Sequence, residues 1–135
     1  MNPERINPAS LPTPSGQYSM VSVAPFGKRL ALISGQTGRR SDGTLAANPI
    51  EQCRQAFIHV GLACESIGAT HSDVVHLRTY LVGSTTLDAF VAARHEVFAE
   101  WYDDAMPPAS TLLLVVGLAD REAICEIEAT IAVDQ

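Results

Sequence analysis

The chain has 135 residues, 47% of them hydrophobic and 18% charged, a balance that supports one folded domain and excludes a disordered chain. Nine Lys and Arg against fifteen Asp and Glu give a formal net charge of −6, which opposes nucleic-acid binding, and no run of about 20 apolar residues is present to span a membrane. Cys53, Cys64 and Cys125 have no C-x-x-C spacing and read as buried reduced thiols, and the N-terminus lacks a basic start followed by an apolar run; together these favour a reducing, cytoplasmic setting.

Residues 1–16 contain Pro3, Pro8, Pro12, Pro14 and Gly16, which predicts an extended, partly ordered lead-in to a single domain over 1–135. Tyr18–Val23 and Arg29–Ser34 alternate roughly, and Pro25-Phe26-Gly27-Lys28 between them predicts a hairpin. Gly35 to Asn48 reads as a loop. A helix then starts with Asn48 as N-cap, Pro49 in the first position and Glu51 near its positive end. Ile50, Cys53, Ala56, Phe57, Val60, Ala63, Cys64 and Ile67 form one apolar stripe, and Gly68 ends it.

Asp73–Val82 predicts a strand with Val75, Leu77, Thr79 and Leu81 on one face. Thr85 with Asp88 resembles a capping box for a second helix, whose stripe is Leu87, Phe90, Val91, Arg94, Val97, Phe98 and Trp101. Ser110–Val116 is a continuous apolar strand. Ile124–Val133 is the last strand, with Cys125, Ile127, Ala129, Ile131 and Val133 facing one way and Glu126, Glu128 and Thr130 the other.

The predicted order is β-β-α-β-α-β-β. Two one-sided helices cover only one face of a sheet, yet Leu112 to Val116 is apolar on both faces. A chain this short covers the second face most simply with copies of itself, so an oligomer is expected.

In this order the chain resembles the reactive intermediate deaminase (RidA/YjgF) family. The resemblance rests on Gln17-Tyr18-Ser19, Ile33-Ser34-Gly35-Gln36 and Glu51-Gln52-Cys53-Arg54-Gln55-Ala56. It continues through Gly68-Ala69-Thr70 before Asp73-Val74-Val75, Pro107-Pro108-Ala109 and Glu126-Ile127-Glu128-Ala129. It implies an α+β, chorismate-mutase-like fold with two helices on one face of a mixed sheet. It also implies a homotrimer with ligand clefts between subunits, a small-molecule substrate and no cofactor. The family chemistry is hydrolysis of enamines and imines to a 2-oxo acid and ammonia. Members with that activity carry Pro-Ala-Arg-Ser ahead of the fourth strand, where this chain has Pro108-Ala109-Ser110-Thr111.

Ser110 therefore stands where the resemblance implies a carboxylate-binding arginine, and loss of a charge-assisted pair costs about 1.5–3 kcal/mol. The expected substrate is then not a simple 2-imino acid; the alternative is a non-catalytic, metabolite-binding or regulatory trimer. The resemblance makes Glu126 the catalytic base that positions water, Tyr18 a cleft-lining aromatic and Gly35 a point of close backbone approach. Glu128 reads instead as a solvated or ion-paired strand residue. Arg94 interrupts an apolar stripe and needs a partner, so it is the candidate for the positive charge that Ser110 lacks. Ser110 and Thr111 offer hydroxyls to a ligand. His59, His71, His76 and His95 have no ligand spacing, so no metal is expected.

Overall fold

The computed structural model describes residues 1–135. Its elements in chain order are β1 (Glu4–Ile6), β2 (Val21–Val23), β3 (Arg29–Gln36), α1 (Pro49–Glu65), a 3-10 turn at His71–Asp73, β4 (Val74–Val82), α2 (Thr86–Trp101), β5 (Ala109–Val115) and β6 (Cys125–Val133). The first helix starts as its sequence dictates: Asn48 Oδ1 accepts from Glu51 N at 3.1 Å, and Pro49 follows at once. Its end is also local, since Ala69 N donates back to Cys64 O at 3.0 Å and Gly68 has φ +71°.

The second helix starts differently from its predicted capping box. Thr85 already has helical angles (φ −69°, ψ −18°) and its side chain caps nothing. The reason is the tight turn at Gly83, after which Thr86 N donates to Gly83 O, and the Thr86 hydroxyl donates to Val82 O at 2.6 Å. A complete capping box lies instead at Thr70 and Asp73, ahead of β4.

Four strands form one mixed sheet in the order β3-β6-β4-β5, antiparallel except for the parallel pair β4 and β5. Phe57 and Val60 of α1 and Phe90, Ala93 and Phe98 of α2 pack with Leu77, Leu81, Ile127 and Ile131 in one core. Both helices therefore lie on a single face of the sheet, as their one-sided stripes require. In β4 a register shift between Val74 and His76 turns Val74 into the core, and Val75 is only half-buried, against the simple alternation expected of this strand.

The N-terminal strands differ from the predicted hairpin. Val21–Val23 pairs with Glu4–Ile6 rather than with β3. The lead-in thus contributes a strand, which Arg5 ties down by donating to the carbonyls of Ser72 (3.3 Å), Val74 (3.2 Å) and Met106 while lying over the Tyr102 ring. β2 and the residues just before it dock at the head of β5: Ser19 bridges Ala109, and Ala109 N donates to Ser22 Oγ at 2.8 Å.

The second sheet face carries no helix. Leu30 and Leu32 of β3 are 64% and 79% exposed, and Leu113 of β5 is 41% exposed. No helix is long and apolar enough to cross a membrane.

Candidate functional site

Strand alternation decides where each candidate side chain goes. Glu126 pairs with Tyr80 and Glu128 with Arg78, so both carboxylates project from the helix-free face. Their surroundings differ. Glu128 accepts from the Tyr80 hydroxyl and from Arg78 Nη1 (3.3 Å), which makes it the ion-paired residue that the sequence suggests. This bond also holds the Tyr80 phenol above its usual range.

Glu126 takes part in none of the chain's ion pairs. Its carboxylate lies directly over Gly35. A Cβ on that glycine would fall 2.0 Å from Oε1 and 2.7 Å from Cδ, so only a residue without a side chain fits beneath the carboxylate as it is placed.

The loop on either side of this pair is fastened at several points. Arg39 donates to Asp120 from Nε (2.7 Å) and Nη2 (2.9 Å), a bidentate clasp between the chain leaving β3 and the chain entering β6. The Arg39 guanidinium holds the Asp120 carboxyl below its ordinary range. Gln52, buried on α1, donates to Ala46 O at 3.2 Å and accepts from Ile124 N at 2.7 Å. His59 Nδ1 lies 2.7 Å from Thr37 O. The sequence reads residues 35–48 as a loop, whereas β3 runs on through Gly35 to Gln36 because Gln36 still pairs with Ile127 of β6 past the register shift after Ile33, and nothing in the sequence shows that Arg39 and Gln52 hold the rest of the segment.

Ser110 projects the other way. It pairs with Leu77, a core residue, and so faces the helix side at the edge of the sheet. There it lines a cavity of about 440 Å³ together with Tyr18, Arg94, Leu87, Val91 and Leu112. Thr111 borders the same cavity, although its pairing with Arg78 gives it to the opposite face. Ser15 and Gly16 complete the wall; the sequence offered neither as a site residue, Gly16 reading only as a breaker in the lead-in. Ser15 fixes the tyrosine, since its backbone N–H donates to Tyr18 Oη at 3.2 Å and its Oγ lies 3.3 Å from the same oxygen. These bonds, with Arg94 nearby, draw the Tyr18 phenol below its usual range.

Arg94 leaves the core stripe of α2 at its edge and enters this cavity wall. Its guanidinium sits 5.4 Å from the Phe90 ring centroid. Its Nε is buried with no hydrogen-bond partner within the chain, and it joins none of the ion pairs. Burial holds this guanidinium below the usual arginine range.

The six sequence-derived candidates thus fall into two groups. Tyr18, Arg94, Ser110 and Thr111 share one cavity; Glu126 and Gly35 meet on the other face of the sheet. Within one chain the charge, the hydroxyls and the free carboxylate do not converge. No group of three or more His, Cys, Asp or Glu is placed to hold a metal ion.

A family model described as endoribonuclease L-PSP matches residues 9–133. Among solved structures, the chain is similar to YyfB from Yersinia pestis, a protein of unknown function of the conserved Rid protein family. The two are 31% identical with a TM-score of 0.83, and the match covers 98% of this chain and 100% of that one. The YjgF gene product from E. coli is 23% identical with a TM-score of 0.70, over 96% and 98% of the two chains. E. coli TdcF, solved with bound serine, is 19% identical with a TM-score of 0.71, over 96% and 98%. At those identities the last two likenesses speak for the fold.

Proposed function

The chain belongs to the RidA/YjgF family, and on that premise we propose that it hydrolyses a reactive enamine or imine in a cleft that a further copy of the chain completes. The observation that carries this reading is the Glu126 carboxylate, free of ion pairs and laid over Gly35 on a sheet face that one chain leaves uncovered. A trimer in which these uncovered faces pack together covers Leu30, Leu32 and Leu113, and the proposal requires that the β5-edge cavity of one protomer, with Tyr18, Arg94 and Ser110, open toward a neighbour's Glu126.

The chemistry follows from those groups. A water molecule adds through oxygen to the electrophilic carbon of a protonated C=N bond, and Glu126 takes the proton that the water loses. The resulting carbinolamine receives that proton on nitrogen; the hydroxyl then gives its proton to Glu126 as the C=O bond forms and the C–N bond breaks, and the departing ammonia takes that proton and leaves as ammonium, so Glu126 ends as a carboxylate. Atoms balance with water as the only co-reactant, and no oxidation state changes beyond hydrolysis. Tyr18 presents a flat ring and an anchored hydroxyl to the planar imine. Arg94 supplies the positive charge for a substrate carboxylate, and Ser110 and Thr111 donate hydrogen bonds beside it. A single guanidinium reached from α2, rather than from the head of β5, holds that carboxylate in a different place from the arginine of the resemblance. This favours a substrate other than the simplest 2-imino acids.

A second reading is a trimer that binds a small metabolite without turning it over. Ser110 favours it, because a hydroxyl cannot replace a bidentate guanidinium contact. A ribonuclease is disfavoured by the net charge of −6 and by the engagement of Arg39, Arg54 and Lys28 in ion pairs.

The deciding experiment generates imines in situ from a panel of amino acids and amines and follows ammonia release by wild type, Glu126→Ala and Ser110→Arg. Hydrolysis that depends on Glu126 supports the reading. Saturable ligand binding without any accelerated ammonia release supports the second.

A further inference from the structure

A groove between α1 and α2 takes no part in the site described above. It lies on the helix side of the molecule, opposite the sheet face that the proposed trimer covers, so nothing said of it rests on that reading. Ile58 and Leu62 of α1, 42% and 54% exposed, flank a space of about 340 Å³, and Val97 and Trp101 of α2 form the other wall. Between them lies Gly61, where a Cβ would stand 3.2 Å from Cζ2 of the indole, so the ring edge rests against bare backbone. The ring is fixed by His71, stacked on it at 5.2 Å and 8°, and by Phe57, edge-on at 5.9 Å. From Arg54 to Glu65 the groove follows three turns of α1, about 16 Å, enough to seat a short helix.

The charge along this groove runs against the stability of the helices that form it. Glu65 is the last residue of α1 and Glu100 the last but one of α2, and neither final turn carries a basic residue. Carboxylates there meet the negative ends of two helix dipoles, which is unfavourable for folding. Arg54 faces Glu96 and Gly61 faces Trp101, so the helices run in parallel and both negative ends lie at the same end of the groove. The one cation in the wall, Arg54, is shared by Glu51 and Glu96, and Glu65 and Glu100 join none of the ion pairs. Arg5, the next cation, is engaged by the carbonyls of Ser72, Val74 and Met106, and burial holds His71 below the usual histidine range, so it adds no charge at pH 7. Uncompensated negative charge beside exposed apolar side chains and a fixed indole suits an occupant both cationic and apolar. A second copy of this chain, with a net charge of −6, is repelled from it.

We propose that this groove docks a basic amphipathic helix of a partner protein. Its apolar residues at i, i+3, i+4 and i+7 sit against Ile58, Leu62 and Trp101, and its Lys or Arg side chains reach Glu65 and Glu100. The contact is small, so the association is transient. Trp101 is the chain's one tryptophan, and its emission therefore reports occupancy. The probe is a synthetic helical peptide of leucine and lysine, three to four turns long, with its leucines on one face. Beside it run a peptide of the same composition with the leucines scattered around the helix, a third with glutamate for lysine, and hexylamine as a small apolar amine. The full-length protein, Leu62→Ser and the double variant Glu65→Lys/Glu100→Lys are titrated at low and at physiological salt.

The one-faced leucine–lysine peptide should change Trp101 emission saturably, bind roughly tenfold tighter than the scattered one and weaken with salt, while the glutamate peptide stays inert. Leu62→Ser and Glu65→Lys/Glu100→Lys should each lower its affinity by roughly tenfold. The double variant should also melt about 2–8 °C higher than wild type, because it relieves both helix ends, so its weaker binding cannot come from unfolding. The proposal is overturned if the one-faced peptide gives no saturable response, if the scattered or glutamate peptide binds as well, or if either variant binds it unchanged. A double variant that melts below wild type overturns it too, since the two glutamates would then serve the fold. Hexylamine binding without peptide binding assigns the groove to a small amine. Sedimentation in which Leu62→Ser breaks a self-association assigns it to a second copy, and either result removes the partner helix.

Discussion

Two glycines three residues apart, Gly35 in β3 and Gly38 just beyond it, make opposite predictions when given a methyl group. Neither Gly35 nor Gly38 has a positive φ, so alanine is compatible with the backbone at both. At Gly35 the new Cβ meets Glu126 Oε1 at 2.0 Å, Cδ at 2.7 Å and Cγ at 2.8 Å, all atoms of one flexible, half-buried side chain. The glutamate can swing to another rotamer at about 0.5–1.5 kcal/mol. Loss of glycine's freedom in the unfolded chain returns about 0.4–1 kcal/mol, so Gly35→Ala should change stability by less than about 1 kcal/mol. The carboxylate, however, must move by an ångström or more, and misplacement of that size costs about a hundredfold in rate. At Gly38 the Cβ would lie 2.5 Å from the Gln52 backbone oxygen in α1, which cannot rotate away. Gly38→Ala should therefore cost about 1–3 kcal/mol by overpacking and lower the melting temperature by roughly 4–12 °C, with the Gly35–Glu126 contact intact. Thermal unfolding followed by circular dichroism, run beside an ammonia-release assay, tests both. The reasoning fails if Gly35→Ala retains full turnover of an imine that wild type hydrolyses, or if it melts as low as Gly38→Ala.

Gln52→Leu should destabilise by about 1–3 kcal/mol because the Ile124 amide loses its acceptor, and exchange of that amide with deuterium should accelerate. Asp120 has its pKa depressed by Arg39, so the clasp contributes stability above the unfolded carboxylate value near about 4, lost as pH falls through the folded value. Urea midpoints between pH 2 and 6 should therefore drop more steeply in wild type than in Arg39→Met; parallel curves would refute the coupling. Burial pushes the Cys64 thiol up to about 11, so its alkylation at pH 8 should follow the unfolding equilibrium, and rapid modification of folded protein would contradict its placement. Asn48→Ala should cost about 1 kcal/mol through the lost bond to Glu51 N, read as a lower urea midpoint.

Much of the architecture was legible because its causes are local. The Asn48 cap, Pro49 and the Cys53–Phe57–Val60–Cys64 stripe act within one or two turns of the chain, and α1 lies where they place it. The alternation of Cys125, Ile127, Ala129 and Ile131 against Glu126 and Glu128 gave the faces of β6 directly. The missed features depend on partners far along the chain. Val21–Val23 could pair with either neighbour, and Arg5, held by carbonyls some 67–101 residues away, favours β1. The bulge before His76 and the silent Thr85 cap were set by the sheet and by the Gly83 turn.

For the candidate site, the amino-acid order alone determined that Glu126 and Ser110 lie on strands and that Arg94 breaks an apolar stripe. Only the tertiary structure decided that Ser110 and Arg94 share a cavity while Glu126 sits over Gly35 on the other side of the sheet. Periodicity tells which residues of one strand share a face. Which face of one strand continues that of another depends on register, and register is settled by hydrogen bonds and packing between segments distant in sequence.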